Sequence, residues 1–347
     1  MSYILGIETS CDETAAAVYD SKNKKILSNV LHSQIKLHEK YGGVVPEVAS
    51  RSHLARIKEI VDQALNNADI SFDAIETIAV TTKPGLAGSL LVGLSFAKGL
   101  AFAGNKKLIG VDHLEGHLFS SMLNPDGTRR QELEFPYLAL SMSGGHTALY
   151  LVHNTEKYEL IGQTIDDAGG EAFDKIARML GLAYPGGPLI EKAAEQVGFQ
   201  DFFKYPRVRL KNTKLDFSFS GLKTAVLYDL VKKGWYDLEA NRPTPLLTEE
   251  NSNHVASSLL VCIADIIINH IKDALILYPN IKGVTFIGGV ACNKYIKHRI
   301  EQYTKSRHLF SISPIPSFCV DNAAMIAYTA SLYQEKGKLS DWYLDIF

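Results

Sequence analysis

The stretch Tyr137-Leu-Ala-Leu-Ser-Met-Ser-Gly-Gly-His-Thr-Ala-Leu-Tyr-Leu-Val152 decides the fold. Two apolar runs flank a turn of small and polar residues, which is how a buried hairpin reads. The same order occurs near the start of the chain. Tyr3-Ile-Leu-Gly-Ile7 reads as a strand, Glu8-Thr-Ser-Cys-Asp-Glu-Thr14 as a polar turn, and Ala15 to Tyr19 as a second strand. With one gap, Thr14-Ala15 aligns with Thr147-Ala148.

The match continues beyond the hairpins. Ser52 to Ala68 reads as a helix, with Leu54, Ile57, Ile60, Val61, Ala64 and Leu65 spaced by three and four. A strand, Thr77 to Val80, a glycine loop, Lys83-Pro-Gly-Leu-Ala-Gly88, and a helix from Ser89 to about Ala103 follow. In the second copy a helix from about Ser252 to Leu277 leads to the strand Gly283 to Ile287, then Gly288-Gly289 and a helix through Asn293 to Tyr303. Repetition on this scale predicts two similar α/β domains facing a cleft. The first spans 1–133 and is joined by the C-terminal helix at about 321–347; the second spans 134–320, with an insertion at about 164–251. Gly144-Gly145 and Gly288-Gly289 let backbone N–H groups approach an anion closely, so nucleotide binding is expected. Paired glycine turns in duplicated domains resemble the actin-like ATPase and sugar-kinase architecture.

A second cluster carries chemistry. In Val111-Asp-His-Leu-Glu-Gly-His-Leu118 the strand Lys107 to Val111 runs into a helix that Asp112 can cap. His113 and His117 then lie one turn apart on one helix face, where two imidazoles can share a divalent metal ion. Such pairs also occur on ordinary surface helices, and a third ligand must come from afar. Asp321, read as the N-cap of the last helix in Cys319-Val-Asp-Asn-Ala-Ala-Met-Ile-Ala-Tyr328, is the best candidate. Two histidines and a carboxylate with open positions suit Fe(II) or Zn(II).

The insertion holds Asp166-Asp-Ala-Gly-Gly-Glu-Ala-Phe-Asp-Lys175 and a sharp Tyr184-Pro-Gly-Gly-Pro188 turn, flanked by Asp174 and Glu191. A basic run follows, Lys204-Tyr-Pro-Arg-Val-Arg-Leu-Lys-Asn-Thr-Lys214, with Phe202, Phe203, Phe217 and Phe219 nearby. Cations for phosphates and rings for unstacked bases are what an RNA surface needs, although a solvated edge strand has the same composition.

The composition is that of an ordinary soluble protein, 46% hydrophobic and 21% charged. A net charge of −2 gives no global attraction to nucleic acid or acidic membranes, so any basic surface is local. Cys11, Cys262, Cys292 and Cys319 form no CxxC pair and fit a reducing, cytoplasmic location. The first residues lack a basic stretch followed by a long apolar run, so no signal peptide is expected. The most apolar segment, Leu259 to Ile268, is broken by Asp265 and is too short to span a bilayer, so no membrane partner is expected.

Nine stretches in order carry a family resemblance. They are Gly6-Ile-Glu-Thr-Ser-Cys-Asp-Glu-Thr14, Gly43-Val-Val-Pro-Glu-Val-Ala-Ser-Arg51, His113-Leu-Glu-Gly-His117, Ser143-Gly-Gly-His-Thr147, Gly170-Glu-Ala-Phe-Asp-Lys175, Tyr184-Pro-Gly-Gly-Pro188, Phe217-Ser-Phe-Ser-Gly-Leu-Lys223, Gly288-Gly-Val-Ala-Cys-Asn293 and Asp321-Asn-Ala-Ala-Met325. The chain resembles the bacterial tRNA N6-adenosine threonylcarbamoyltransferase family, once described as a glycoprotein endopeptidase. The resemblance implies the duplicated actin-like ATPase fold of two RNase H-like domains. It implies transfer of threonylcarbamoyl from threonylcarbamoyl-AMP to the N6 amine of the adenosine 3′ of the anticodon, in tRNAs reading codons that begin with A. By motif match, His113, His117 and Asp321 would bind the metal, usually iron, with zinc also seen. Ser141, Met142, Ser143, Gly144, Gly145, Asp174, Gly187, Glu191 and Asn293 would hold the adenylate. A paralogous actin-like partner subunit and a small ATPase are expected alongside. The chain departs from the family at Met142, where Val is more familiar, at Ser141, where Leu is, and at Gly169, where Ala is usual.

The base that takes the amine proton is not evident; Asp12 and Glu13 at the first hairpin tip are candidates. Three other classes compete. A metalloprotease of the HExxH type needs Glu directly after the first His, whereas Glu115 stands two places on, roughly 200° round the helix. An actin-like ATPase or kinase fits the fold, but no P-loop is present. A non-catalytic scaffold would not need the histidine and glycine motifs.

Overall fold

The computed structural model describes residues 2–130, 133–210 and 215–346. Along the chain come β1 (Tyr3–Glu8), β2 (Glu13–Asp20), β3 (Lys25–Ser33), a short α1 (Ile35–Glu39), α2 (Pro46–Ala68), β4 (Ile75–Lys83), α3 (Ala87–Ala103), β5 (Lys107–Asp112) and α4 (His113–Ser120). Next are β6 (Tyr137–Met142), β7 (Thr147–Val152), β8 (Tyr158–Gln163), α5 (Gly169–Met179), α6 (Gly186–Gln196), α7 (Ser220–Lys232) and the two-residue strands β9 (Tyr236–Asp237) and β10 (Arg242–Pro243). The chain closes with α8 (Glu249–Leu277), β11 (Gly283–Ile287), α9 (Lys294–Lys305), β12 (Phe310–Ile312), α10 (Pro316–Cys319) and α11 (Ala323–Glu335).

The chain divides into two compact units, residues 1–133 with 314–347, and residues 134–313. Each has a five-stranded sheet. The orders are β3-β2-β1-β4-β5 and β12-β11-β6-β7-β8. In the first, β1 to β3 are antiparallel neighbours while β4 and β5 join β1 in parallel. In the second, β6 to β8 are antiparallel while β11 and β12 join β6 in parallel. The two sheets therefore share one topology, and the fold is the duplicated actin-like α/β fold.

The central strands are continuous apolar runs because helices cover both faces. In unit 1, Leu5, Ile7, Val18, Ile78 and Val80 pack with Ile57 and Val61 of α2 and Leu90 and Leu94 of α3. On the other face α11 lies against β1. A β-carbon on Gly6 would come within 2.6 Å of the Ala323 carbonyl, so only glycine allows this approach. That contact brings Asp321, two residues before α11, to the carboxyl ends of the strands.

Several expected boundaries move. α2 begins at Pro46 rather than Ser52, because proline at the first helical turn loses no hydrogen bond. Its buried stripe runs through Ala49, His53, Ile57 and Ile60, while Leu54 is 71% exposed. α8 begins at Glu249, where the Thr248 side chain accepts from Asn251 N–H. The cap of α11 is Asn322, whose Oδ1 accepts from Met325 N–H at 3.0 Å, and not Asp321. The neighbouring Asp321 is thereby left outside the helix. No disulfide joins the cysteines. Among the described residues no helix is long and apolar enough to cross a membrane.

Candidate functional site

Unit 1 gathers its ionisable groups at one point. Asp112 closes β5, and its carboxylate accepts from the N–H groups of Leu114 and Glu115, starting α4 on the next residue. His113 and His117 follow on one face, with ring centroids 4.7 Å apart and planes at 89°. Asp321 Oδ1 lies 2.9 Å from His117 Nε2 and 3.4 Å from His113 Nε2. The three ligand atoms lie within 4.8 Å of one another, and both imidazoles are buried.

The other nitrogen of His113 is held by a residue that the motif reading did not single out. Glu8, fully buried at the end of β1, stands 3.1 Å from His113 Nδ1 through Oε2. Thr81 donates to the same oxygen at 2.5 Å, and Ser10 N–H donates to Oε1. Ser10 Oγ is 3.2 Å from His113 Nδ1. A carboxylate on the far nitrogen fixes the tautomer and aims Nε2 at Asp321. The one sequence signal was Glu8 inside the polar turn, but its partner lies 105 residues away.

Charge confirms that the pocket wants a cation. Burial alone would push His113 down, yet the Asp321 and Glu8 carboxylates on its two sides hold it well above its ordinary value. Burial would raise Asp321, but His113 and His117 hold it well below the usual carboxylate range. Glu8 is lowered too, by His113 against its own burial. Two imidazoles facing two carboxylates thus favour a bound positive charge, whether a proton or a metal ion. His117 Nδ1 is buried without a hydrogen-bond partner among the described residues. Two imidazoles and a carboxylate with Nε2 and Oδ1 converging suit a divalent transition metal, which would displace such a proton.

The hairpin tip stands in the same field. Asp12 is buried in the turn, and its carbonyl accepts from Gln34 N–H at 2.9 Å. Glu13 opens β2, with Oε1 3.1 Å from Ser33 Oγ. Burial, then Asp12 and Asp321, push the Glu13 carboxyl up to about 10, so at neutral pH it keeps its proton. A protonated carboxyl donates; it does not serve as a base.

Unit 2 gathers backbone rather than charge. Ser141 and Met142 end β6, and Ser143-Gly144-Gly145 turns into β7. Gly170 N–H at the start of α5 donates to Ser143 O at 3.0 Å. Gly288, at φ +86, lies so close to Met142 that a β-carbon would come within 2.5 Å of its carbonyl. Asp174 Oδ1 accepts from Gly186 N–H at 2.7 Å, at the N-terminus of α6. Burial raises the Asp174 carboxyl although the N–H groups of Gly186 and Gly187 pull it down. Glu191 Oε1 accepts from Tyr295 N–H at 2.9 Å, and Asn293 Oδ1 from Ile296 N–H at 2.9 Å, both in the first turn of α9. The N-terminus of α5 thus meets the β6–β7 turn through Gly170, while the N-terminus of α6 is tied to α5 through Asp174 and that of α9 to α6 through Glu191. β-carbons on Gly144, Gly145, Gly187 and Gly289 would meet nothing within 4 Å. Open glycine backbone in this cradle leaves room for a ligand to approach main-chain N–H groups, whereas the N–H groups of Gly186, Tyr295 and Ile296 are already taken by Asp174, Glu191 and Asn293.

The basic run reads differently in three dimensions. Arg207 is spent inside the unit: it pairs with Asp201 at 2.6 Å and Asp265 at 2.9 Å and donates to Tyr205 O. Arg209 lies 3.5 Å from Asp273 with its side chain 57% exposed. Tyr205, Phe217 and Phe219 are buried. Lys211 to Lys214 lie outside the described residues.

The model of the family described as tRNA N6-adenosine threonylcarbamoyltransferase matches residues 25–328. The chain belongs to this family. A curated relative of that name from Thermodesulfovibrio yellowstonii is 45% identical over 342 residues, covering 99% of this chain and 97% of its own. The protein is accordingly a transferase that modifies adenosine in tRNA. Among solved structures, HypF of T. kodakarensis aligns with a TM-score of 0.59 at 13% identity, covering 96% of this chain and 48% of that one. Component A of the Acidaminococcus fermentans (R)-2-hydroxyglutaryl-CoA dehydratase aligns at 0.54 and 14% identity, covering 97% and 100%. At these identities the likeness concerns the fold alone.

Family and geometry agree against a protease. Glu115 accepts from the Tyr333 hydroxyl of α11, and its backbone N–H is capped by Asp112. It is not among the triad's partners, so the bound-water base of a zinc protease has no counterpart in this carboxylate.

Proposed function

We propose that the chain transfers threonylcarbamoyl from threonylcarbamoyl-AMP to N6 of the adenosine 3′ of the anticodon, in tRNAs reading codons that begin with A. The reading is carried by a full-length family match in which three ligand atoms converge within 4.8 Å. His113, His117 and Asp321 would hold the metal, Fe(II) first and Zn(II) second, with Glu8 fixing His113. When bound, the ion supplies a Lewis acid for the threonylcarbamoyl group. The turn Ser141 to Gly145, with Asp174, Gly187, Glu191 and Asn293, would hold the adenylate. Their support is the open glycine backbone at Gly144, Gly145 and Gly187, where a ligand can approach main-chain N–H groups closely.

The N6 amine is a poor nucleophile because its lone pair is delocalised into the ring. It attacks the carbamoyl carbon; the new C–N bond forms as the C–O bond to phosphate breaks, and AMP leaves with that electron pair. N–H groups of the cradle stabilise the charge gathering on the phosphate. Asp12 is the better candidate to take the amine proton, since Glu13 already holds one and can donate to it. A paralogous actin-like subunit and a small ATPase would act with the chain in the cytoplasm, where unmodified tRNA is met.

The test is to incubate metal-loaded protein and its partner subunits with threonylcarbamoyl-AMP, with and without unmodified tRNA. AMP release should match modified adenosine mole for mole and need tRNA. Release of AMP with no modified nucleoside would make the protein a hydrolase of the adenylate instead.

A further inference from the structure

We infer that the outer face of α9 is a contact surface for tRNA phosphates. The inference rests on the tRNA-modifying reading above and adds the surface. Residues 294–308 carry five Lys or Arg (Lys294, Lys297, Arg299, Lys305, Arg307) and two histidines against a single acid, Glu301, in a chain whose net charge is −2. Ile296, Ile300 and Thr304 form the buried stripe of the helix. Lys294, His298, Lys305, Arg307 and His308 are exposed, and Lys297 is half-buried.

Among the described residues only Arg299 of these cations forms an ion pair. Arg299 pairs with Asp265 at 2.7 Å and donates to Tyr295 Oη at 2.8 Å. Among the described residues Lys294, Lys297, Lys305 and Arg307 have no carboxylate within ion-pair distance. That is the reverse of Arg207, which two aspartates neutralise. Like charges along α9 and the turn that follows it, with no carboxylate to neutralise them, repel one another and gain from a polyanion. Tyr303 lies between two cations, Arg307 at 5.7 Å and the exposed Lys272 of α8 at 5.5 Å from its ring centroid, so a ring is available within the basic face. The helix begins at the cradle, where Glu191 takes Tyr295 N–H. Its twelve residues carry the basic face away from the cradle by about 18 Å at 1.5 Å per residue. A strand whose adenosine is being modified needs this kind of backbone hold, which positions without reading sequence.

The test is tRNA binding by the full-length, metal-loaded protein across a salt series. The triple variant K297Q/K305Q/R307Q should bind at least tenfold more weakly at low salt. Its log K against log salt slope should flatten by about 2 to 3, at about 0.7–0.9 per phosphate contact. The charge-keeping K297R/K305R should behave as wild type, and threonylcarbamoyl-AMP affinity should not change. Wild-type affinity and slope in the triple variant would overturn the surface. If the triple variant lost donor binding as well, the three single variants decide: each should flatten the slope by about 1, and three unchanged slopes would overturn it. Wild-type protein that bound no tRNA at any salt would overturn the surface together with the reading it rests on.

Discussion

The turn after β1 and the turn after β6 occupy equivalent places in two sheets of one topology, yet they are made of different material. Glu8 to Glu13 presents carboxylates, hydroxyls and a thiol, and Glu8 grips an imidazole from the β5–α4 junction. Ser143 to Gly145 presents almost nothing but main chain, framed by the glycines that open the neighbouring helices. One copy of the duplicated unit gathers side-chain ligand atoms, and the other, on the reading proposed above, offers main-chain N–H groups. The division follows from chemistry: a transition metal wants imidazole and carboxylate lone pairs, and a phosphate wants oriented donors without bulk.

Replacing Glu8 by Gln should produce the largest effect on the side-chain half. The isosteric amide keeps the volume but weakens the hold on His113 Nδ1, and metal affinity should fall by about 10–100-fold. Titration with Zn(II) or Fe(II) against a competing chelator reads this directly. Unchanged affinity would mean that Asp321 and the helix alone orient the ring.

On the backbone half, two glycines on facing segments should separate cleanly. A β-carbon at Gly170 would sit 2.4 Å from Ser143 O, and since main chain cannot step aside, Gly170→Ala should lose about 1–3 kcal/mol in urea unfolding. Gly145→Ala meets nothing, so its stability should match wild type while threonylcarbamoyl-AMP binding weakens. If both variants lost stability and neither lost affinity, the turn would be a structural hairpin only.

Met142 and Gly169 sharpen the same half. A β-carbon at 169 would overlap the Met142 methyl at 1.7 Å, and Met142 is fully buried. The two departures from the family pattern are therefore one packing solution: the long side chain takes the space that alanine would fill. Gly169→Ala should cost about 1 kcal/mol alone, because the flexible end of Met142 can turn aside. Combined with Met142→Val it should recover, with a coupling of about 1 kcal/mol in a double-mutant cycle. Simple additivity would break the link.

The smallest effect lies behind the cradle. Asp167 bridges Lys175 at 2.8 Å and Lys223 at 2.7 Å, tying α5 to α7. Burial opposes but the two lysines hold its pKa below the usual value. A depressed carboxylate adds stability above its unfolded-state pKa, and that stability disappears as pH falls through the folded-state value. Asp167→Asn should therefore lose stability at pH 6 to 7, by about 1 kcal/mol or less after solvent screening, and should match wild type near pH 2. Equal losses at both ends would assign the effect to packing.

The duplication was legible because buried hairpins and glycine turns are local patterns. The edge strands β3 and β8 were not read, because one-sided burial leaves Lys25–Ser33 and Tyr158–Gln163 without a continuous apolar run. Asp321 reads in the sequence as the cap of the last helix, a place Asn322 takes instead; Asp and Asn are both favourable cap types, and spacing cannot resolve a shift of one. Glu8 carries no ligand signal in the sequence, and Arg207 reads there as a surface cation, for one reason. Their partners stand 105 and 58 residues away, and sequence shows charge without showing what neutralises it.

The most direct measurement is mass spectrometry of nucleosides from unmodified tRNA incubated with threonylcarbamoyl-AMP, metal and the partner subunits, comparing wild type with His113→Ala/His117→Ala. Wild type should yield threonylcarbamoyladenosine, and the double variant none while still binding the donor. Modified adenosine from the variant at the wild-type rate would contradict the account, because the side-chain half of the molecule would then be dispensable to the reaction.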